Sequence, residues 1–332
     1  MLGSWLAPIL PGRSPHHILV ALAEFGNFLG LGIMLSGFFS SGFLLFLLGY
    51  SLKCCSIGFF SFYQFDWLKQ GLPTDSSFFQ SIKGMTQGGY GIAALAILIV
   101  SAGLVSAEIF IILDLITSAF AIAIFALCRC ELTQSGRQKS VNSGFAIFKY
   151  WRILIPDMCL AVALSGTNTF LLKQGESIVD RTYGYFFAML IYSLAFLLIG
   201  RLASRLKLSG TGPLSFMLAL LITGFWLMTG SGYQFPSILG LTIVLIAYPA
   251  ACIVMEGLWF SSLHTTNSKL YSTRTIIVGG IWALGESVLS TNNSDLIIRI
   301  LFCITGFVFL IPVIWATGKT SLTLDIGEQH AK

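Results

Sequence analysis

Seven ionisable side chains interrupt the otherwise apolar runs of this sequence: Glu24, Lys53, Asp114, Asp157, Glu256, Glu286 and Arg299. A charge held at the centre of a bilayer costs about 2.5 to 3.5 kcal/mol on insertion scales, so such a residue faces a cavity, an oppositely charged partner or a ligand. An acid there can take up a proton, bind a cation or hold a substrate amine, and a lysine can hold a carboxylate or phosphate. Each also has a plainer use. Lys53, about eleven residues into its run, is too deep to snorkel and could pair with an acid such as Glu24. Asp157 lies near Arg152 and Glu256 near the basic loops, while Asp114 and Glu286 could simply tie helices together.

The elements that must position these groups follow from composition. Of 332 residues, 55% are hydrophobic and only 10% charged, and 28 are phenylalanine, whereas a soluble domain carries about a quarter charged residues. The mean hydropathy of +0.84 points the same way. Lipid offers no hydrogen-bond partners, so each long apolar run must close its own backbone bonds as a helix, which predicts an all-α polytopic membrane protein. Ten spans are expected, near 18–37, 42–63, 83–106, 109–127, 153–172, 183–199, 213–229, 238–260, 275–289 and 296–316. A polar loop is expected from Asp66 to Lys83. The short basic turn Gly200-Arg201-Leu202-Ala203-Ser204-Arg205-Leu206 reads as a hairpin tip between two spans. These spans group as an N-terminal four-span bundle over 1–128, a cytoplasmic linker over 129–152, a six-span bundle over 153–317 and a cytoplasmic tail over 318–332.

The net charge of +5 does not imply a nucleic-acid partner, because the charges fall at span ends. Counted over alternate loops, fifteen lysines and arginines collect on the side of the N-terminus and two, Lys173 and Arg181, on the other. By the positive-inside rule both termini and the linker are cytoplasmic. No cleavable signal is expected, and the seven cysteines lack metal or disulfide spacing, so free thiols are expected. The four histidines lie outside the spans and no Asp-x-x-x-Asp pair occurs, so no cofactor, metal or catalytic centre is expected.

The stretch from Gly3 to Arg13 can be laid on Gly200 to Lys207, and the spans after each continue in step, with Lys83-Gly84 matching Arg274, Gly279 and Gly280. Parallel repeats of this kind occur in transporters built from two similar bundles. At this point the chain resembles the major facilitator superfamily, whose signature after the second and eighth helices is of the Gly-x-Leu-Ala-Asp-Arg type. Gly200-Arg201-Leu202-Ala203-Ser204-Arg205 is similar to it, with Ser204 where the acid usually stands, and the copy ending at Gly12-Arg13 is weaker. The resemblance implies that the spans correspond to family helices three to twelve, with the first two missing. It also implies a secondary transporter of a small solute working by alternating access, with protons as a candidate coupling partner and no antiporter Gly-Pro pair in the third span. Family helices that line the path favour Lys53, Asp157 and Glu256, and on the same or adjacent helices Gln87, Tyr90, Asn168 and Tyr248 suit a cavity for a polar or amphiphilic solute. Gly200, Arg201, Arg205 and Arg274 would be structural.

The chain is expected to be monomeric in the inner membrane, with lipid as its surroundings. Alternatives are a non-transporting remnant of a truncated transporter, a ten-helix drug/metabolite-type transporter with two five-helix halves, or a polytopic enzyme acting on a lipid-linked substrate. The topology has a direct check: green fluorescent protein fused after Lys207 should fluoresce, and alkaline phosphatase fused after Lys173 should be active. The opposite pattern would invert the assignment.

Overall fold

Backbone groups that cannot reach water must bond within their own segment, which a helix does. A computed structural model describes residues 16–71, 76–101, 106–127, 147, 150–173, 178–206, 211–230, 234–263 and 268–291. Among the described residues all regular structure is helical: α1 (His16–Phe39), α2 (Phe43–Gly71), α3 (Ser76–Ser101), α4 (Ala107–Leu127), α5 (Trp151–Lys173), α6 (Ile178–Leu206), α7 (Thr211–Gly230), α8 (Gln234–Ser262) and α9 (Ser268–Thr291). Four stretches within them, Ile18–Phe39, Phe43–Phe60, Glu108–Leu127 and Ile238–Ser262, are each long and apolar enough to cross a membrane. The chain is an integral membrane protein.

Two expected loops are helix instead. Asp66 to Gly71 continue α2, and α3 begins at Ser76 rather than near Lys83. Nothing in the segment breaks a helix before Pro73, which cannot donate an amide hydrogen and disfavours helical backbone in the residue before it. The basic turn Gly200 to Leu206 is likewise the end of α6, not a hairpin tip. Arg205 therefore sits in the last turn, where unbonded helix carbonyls favour positive charge. The tenth expected span, the tail, Arg299 and most of the linker lie outside the described residues.

Between α1 and α2 the chain turns in three residues. Gly42 N donates to Gly37 O at 2.8 Å and Ser41 N to Phe38 O at 3.2 Å. This closes α1 with the paired bonds that usually require glycine at the left-handed position. Ser41 occupies that position with φ of 53°.

Contacts divide the chain into two units. The first comprises Met1–Asp75, Leu95–Lys149 and Ser261–Gly280, the second Ser76–Ala94, Tyr150–Phe260 and Ile281–Lys332. In the first, α1 packs against α2 and α4. The α1–α2 contact is backbone to backbone: a Cβ on Gly30 would lie 2.7 Å from Lys53 N and 2.8 Å from Gly49 O. About three turns along from this crossing, Leu19 and Val20 pack with Phe59, Phe60 and Phe125. Outward side chains such as Phe43, Leu44, Phe120 and Leu127 are exposed, as lipid-facing residues should be.

The second unit uses the same device twice. A Cβ on Gly84 of α3 would lie 2.7 Å from Gly200 Cα on α6, and one on Gly240 of α8 would lie 2.5 Å from Gly224 O on α7. Phe79 and Phe260 stack at 4.3 Å beside the first crossing. Ser165 of α5 donates to Trp282 O of α9 at 2.8 Å, over the bare face of Gly285. Prolines stand inside α5 (Pro156) and α8 (Pro249).

Gly30 and Gly32 give a contrast of sign. Nothing lies within 4 Å of a Cβ on Gly32, so Gly32→Ala should be neutral or stabilise by up to about 1 kcal/mol through helix propensity. Gly30→Ala must separate two backbones and should lower the unfolding temperature in detergent. Equal effects of the two substitutions would mean that the α1–α2 contact is not a stabilising interface.

Candidate functional site

Polar side chains that share a bilayer with so few charges are drawn to each other, and each unit contains one such gathering. In the first, Lys53 on α2 donates from Nζ to Asp114 Oδ2 on α4, with the two side chains 24% and 41% exposed. The backbone of Lys53 lies against Gly30 of α1, at the close α1–α2 crossing. The expected partner Glu24 is engaged elsewhere: its Oε1 accepts from Asn27 Nδ2 at 2.9 Å and from Ser118 Oγ at 2.7 Å. Asp114 and Ser118 are four residues apart on α4, one turn of a helix. The two clusters thus form one polar seam along α1, α2 and α4.

In the second unit Asp157, on α5 and 4% exposed, accepts a hydrogen bond from Trp259 Nε1 of α8 at 3.1 Å. Trp259 is fully enclosed, and Tyr150 lies against its ring with 5.9 Å between centroids. A buried carboxyl so held has one oxygen fixed by a rigid indole. About three turns back along α8, Tyr248 stacks on Tyr192 of α6 at 5.8 Å. These two rings, with Thr167, Leu164, Ala188 and Leu245, line a small apolar cleft among α5, α6 and α8.

The other sequence candidates are dispersed. Glu256 is half-buried on α8, three residues before Trp259, and Gln87 is half-buried on α3. Tyr90 and Asn168 lie on α3 and α5, but their side chains fall outside the described residues, as does that of Glu286. Gly200 is the contact point with α3, and Arg201 and Arg205 are exposed at the end of α6. Arg274 is 6% exposed and lies over the Tyr271 ring at 5.2 Å, while Tyr271 stacks on Phe65 of α2 at 3.9 Å.

Three polar residues of these gatherings escaped the sequence reading. Gln80, assigned to a loop, is fully buried on α3, where its Nε2 points to Ile253 O at 3.4 Å and packs on Gly257. Asn27 and Ser118 are uncharged and so passed as ordinary span residues. The signal available was Glu24-Phe25-Gly26-Asn27, a polar pair at the three-residue spacing that shares a helix face. Among the described residues no group of three or more histidine, cysteine, aspartate or glutamate side chains is gathered so as to hold a metal ion.

No family model matches the chain, and no curated protein sequence matches it. Its structure, however, has clear counterparts: the fold is that of major facilitator superfamily transporters. A mutant of the E. coli fucose:proton symporter FucP superposes with a TM-score of 0.69 at 16% identity, over 97% of this chain and 88% of that one. FucP in its outward conformation gives 0.69 at 14% identity, over 97% and 87% of the two chains. A mutant of the nucleoside transporter NupG gives 0.54 at 16% identity, over 96% and 87%. The all-helical transporter fold implied by the Gly200–Arg205 signature is therefore present.

The Lys53–Asp114 pair should behave as a coupled unit. Removing one partner leaves the other uncompensated in a low-dielectric layer, whereas removing both does not. Lys53→Met and Asp114→Leu should each lower thermal stability in detergent, and the double variant should recover most of the loss. Additive losses would show that the two charges do not depend on one another.

Proposed function

We propose that the chain is a secondary active transporter that carries a small hydroxylated solute across the cytoplasmic membrane by alternating access, driven by a cation gradient. The observation that carries this reading is the fold likeness to solute transporters over 97% of the chain. The second unit adds suitable chemistry: a buried carboxyl oriented by Trp259, and a cleft faced by Tyr192 and Tyr248. Neighbours of this fold are a fucose:proton symporter and a nucleoside transporter, whose solutes share a polyhydroxylated ring. On this reading Asp157 accepts a solute hydroxyl or a proton and Tyr248 lines the solute's path, with Glu256, Gln87, Tyr90 and Asn168 as further candidates on the same or adjacent helices. Lys53 serves as the charge that holds Asp114 in the seam.

The expected division into bundles over 1–128 and 153–317, joined by a cytoplasmic linker over 129–152 and followed by a tail over 318–332, is part of the same proposal. So are the cytoplasmic placement of both termini and a monomeric state.

Purified protein in proteoliposomes should take up labelled fucose or labelled nucleosides when a proton or sodium gradient is imposed, and a gradient-collapsing ionophore should abolish uptake. Asp157→Asn should cut uptake about tenfold or more while leaving the gel-filtration profile unchanged, about 1.4 kcal/mol of lost interaction. A panel of sugars and nucleosides that all fail to move under every gradient would reject the proposal.

A further inference from the structure

One face of α6 joins an apolar stripe to a pair of cations. Ile191, Leu194, Leu198, Arg201 and Arg205 follow one another at alternating steps of three and four residues, which places them on a single side of a helix. All five are exposed, the three apolar ones at 38%, 49% and 68%. The opposite side carries Phe196, Gly200 and Ala203, all buried, with Gly200 against Gly84 of α3. The two arginines therefore stand at the end of the surface that meets hydrocarbon, not on the side that packs into the protein. One leaflet's hydrocarbon is about 15 Å deep, half of a bilayer core of about 30 Å, and at about 1.5 Å per residue about ten helical residues cover it. Ile191 and Arg201 are ten positions apart, so a stripe laid along acyl chains brings the guanidinium to the level of the glycerophosphate.

Charge points to the same ligand. No aspartate or glutamate occurs between Asp180 and Glu256, a stretch that holds Arg181, Arg201, Arg205 and Lys207. Ser204, between the two exposed arginines, stands where the Gly-x-Leu-Ala-Asp-Arg signature has its acid. The described acids of the same unit, Asp157 and Glu256, are buried on α5 and half-buried on α8. The unbonded carbonyls at the end of α6 supply about half a negative charge, against two full positive charges one turn apart. A phosphodiester offers a whole negative charge and paired oxygens that fit the guanidinium fork.

We propose that Arg201 and Arg205 bind the phosphate of one anionic phospholipid of the cytoplasmic leaflet, whose acyl chain lies along Ile191, Leu194 and Leu198. A free phosphate gains nothing from the apolar stripe, and a zwitterionic lipid brings its own cation to the arginines. The site does not rest on the transport reading.

The purified full chain in detergent is titrated with dimyristoyl phosphatidylglycerol or dimyristoyl phosphatidylcholine, and the fraction carrying one lipid is read by native mass spectrometry. The two lipids share acyl chains, so a preference belongs to the headgroup. Phosphatidylglycerol should bind about tenfold or more tightly than phosphatidylcholine, and Arg201→Gln and Arg205→Gln should each weaken it about fivefold while leaving phosphatidylcholine unchanged. A second measurement uses the parent protein alone and serves if the variants do not fold. Phosphatidylglycerol with a photoactivatable diazirine in its acyl chain should label α6 within residues 187–206. Equal binding of the two lipids, a phosphatidylglycerol preference that survives in the doubly substituted protein, or label confined to other helices would overturn the site. Displacement of the lipid by millimolar glycerol phosphate would overturn it too, since the arginines would then hold the free anion without the acyl chain.

Discussion

Helices in lipid gain nothing from hiding apolar surface against one another, because hydrocarbon solvates that surface equally well. Association must come from close van der Waals contact and from polar groups that have no other partner. This chain meets the first requirement with glycine pairs, Gly30 with Gly49, Gly84 with Gly200 and Gly224 with Gly240, each placed so that a Cβ on one would strike the backbone of the other. The remaining contacts are organised by those crossings. Phe79 stacks on Phe260 beside one of them, and Leu19 and Val20 meet three phenylalanines further along the α1–α2 pair.

Once backbones are this close, short polar side chains can span the gap. Ser118 reaches Glu24, Ser165 reaches a carbonyl of α9, and Trp259 reaches Asp157. None of these bonds need contribute much, since interhelical hydrogen bonds in membranes average about 0.6 kcal/mol by double-mutant cycles. Their effect is on register: each exists at one rotation and one axial position of its helix. A site assembled from such groups is therefore held by the same contacts that hold the fold.

The structural basis of the Gly200–Arg205 signature is visible in these terms. Gly200 is where α3 crosses α6, Ala203 is fully buried, and Arg201 and Arg205 lie exposed on the final turns. A sequence pattern of small residue, base, small residue, base thus encodes a crossing and a charged helix end. The helix continues seven residues beyond 199, where hydropathy alone would have stopped it, which is why the turn was read as a loop. The same misreading at Asp66 to Lys83 hid Gln80, since a polar residue attracts no notice outside an apolar run.

Sequence by itself determined what depends on one dimension. Apolar run length dictated helices and spans, the placement of lysine and arginine predicted sidedness, and the basic signature pointed to the transporter fold. It also singled out Lys53 and Asp157 as groups that must find partners. Which partner each found was decided by tertiary structure alone. Lys53 takes Asp114 rather than Glu24, and Glu24 takes Asn27 and Ser118, because helix rotation sets which side chains share a face and the α1–α4 pair is some ninety residues apart along the chain. Hydropathy carries no information about rotation when a helix is apolar on every side, and lipid, unlike water, imposes no polar face from which that rotation could be read.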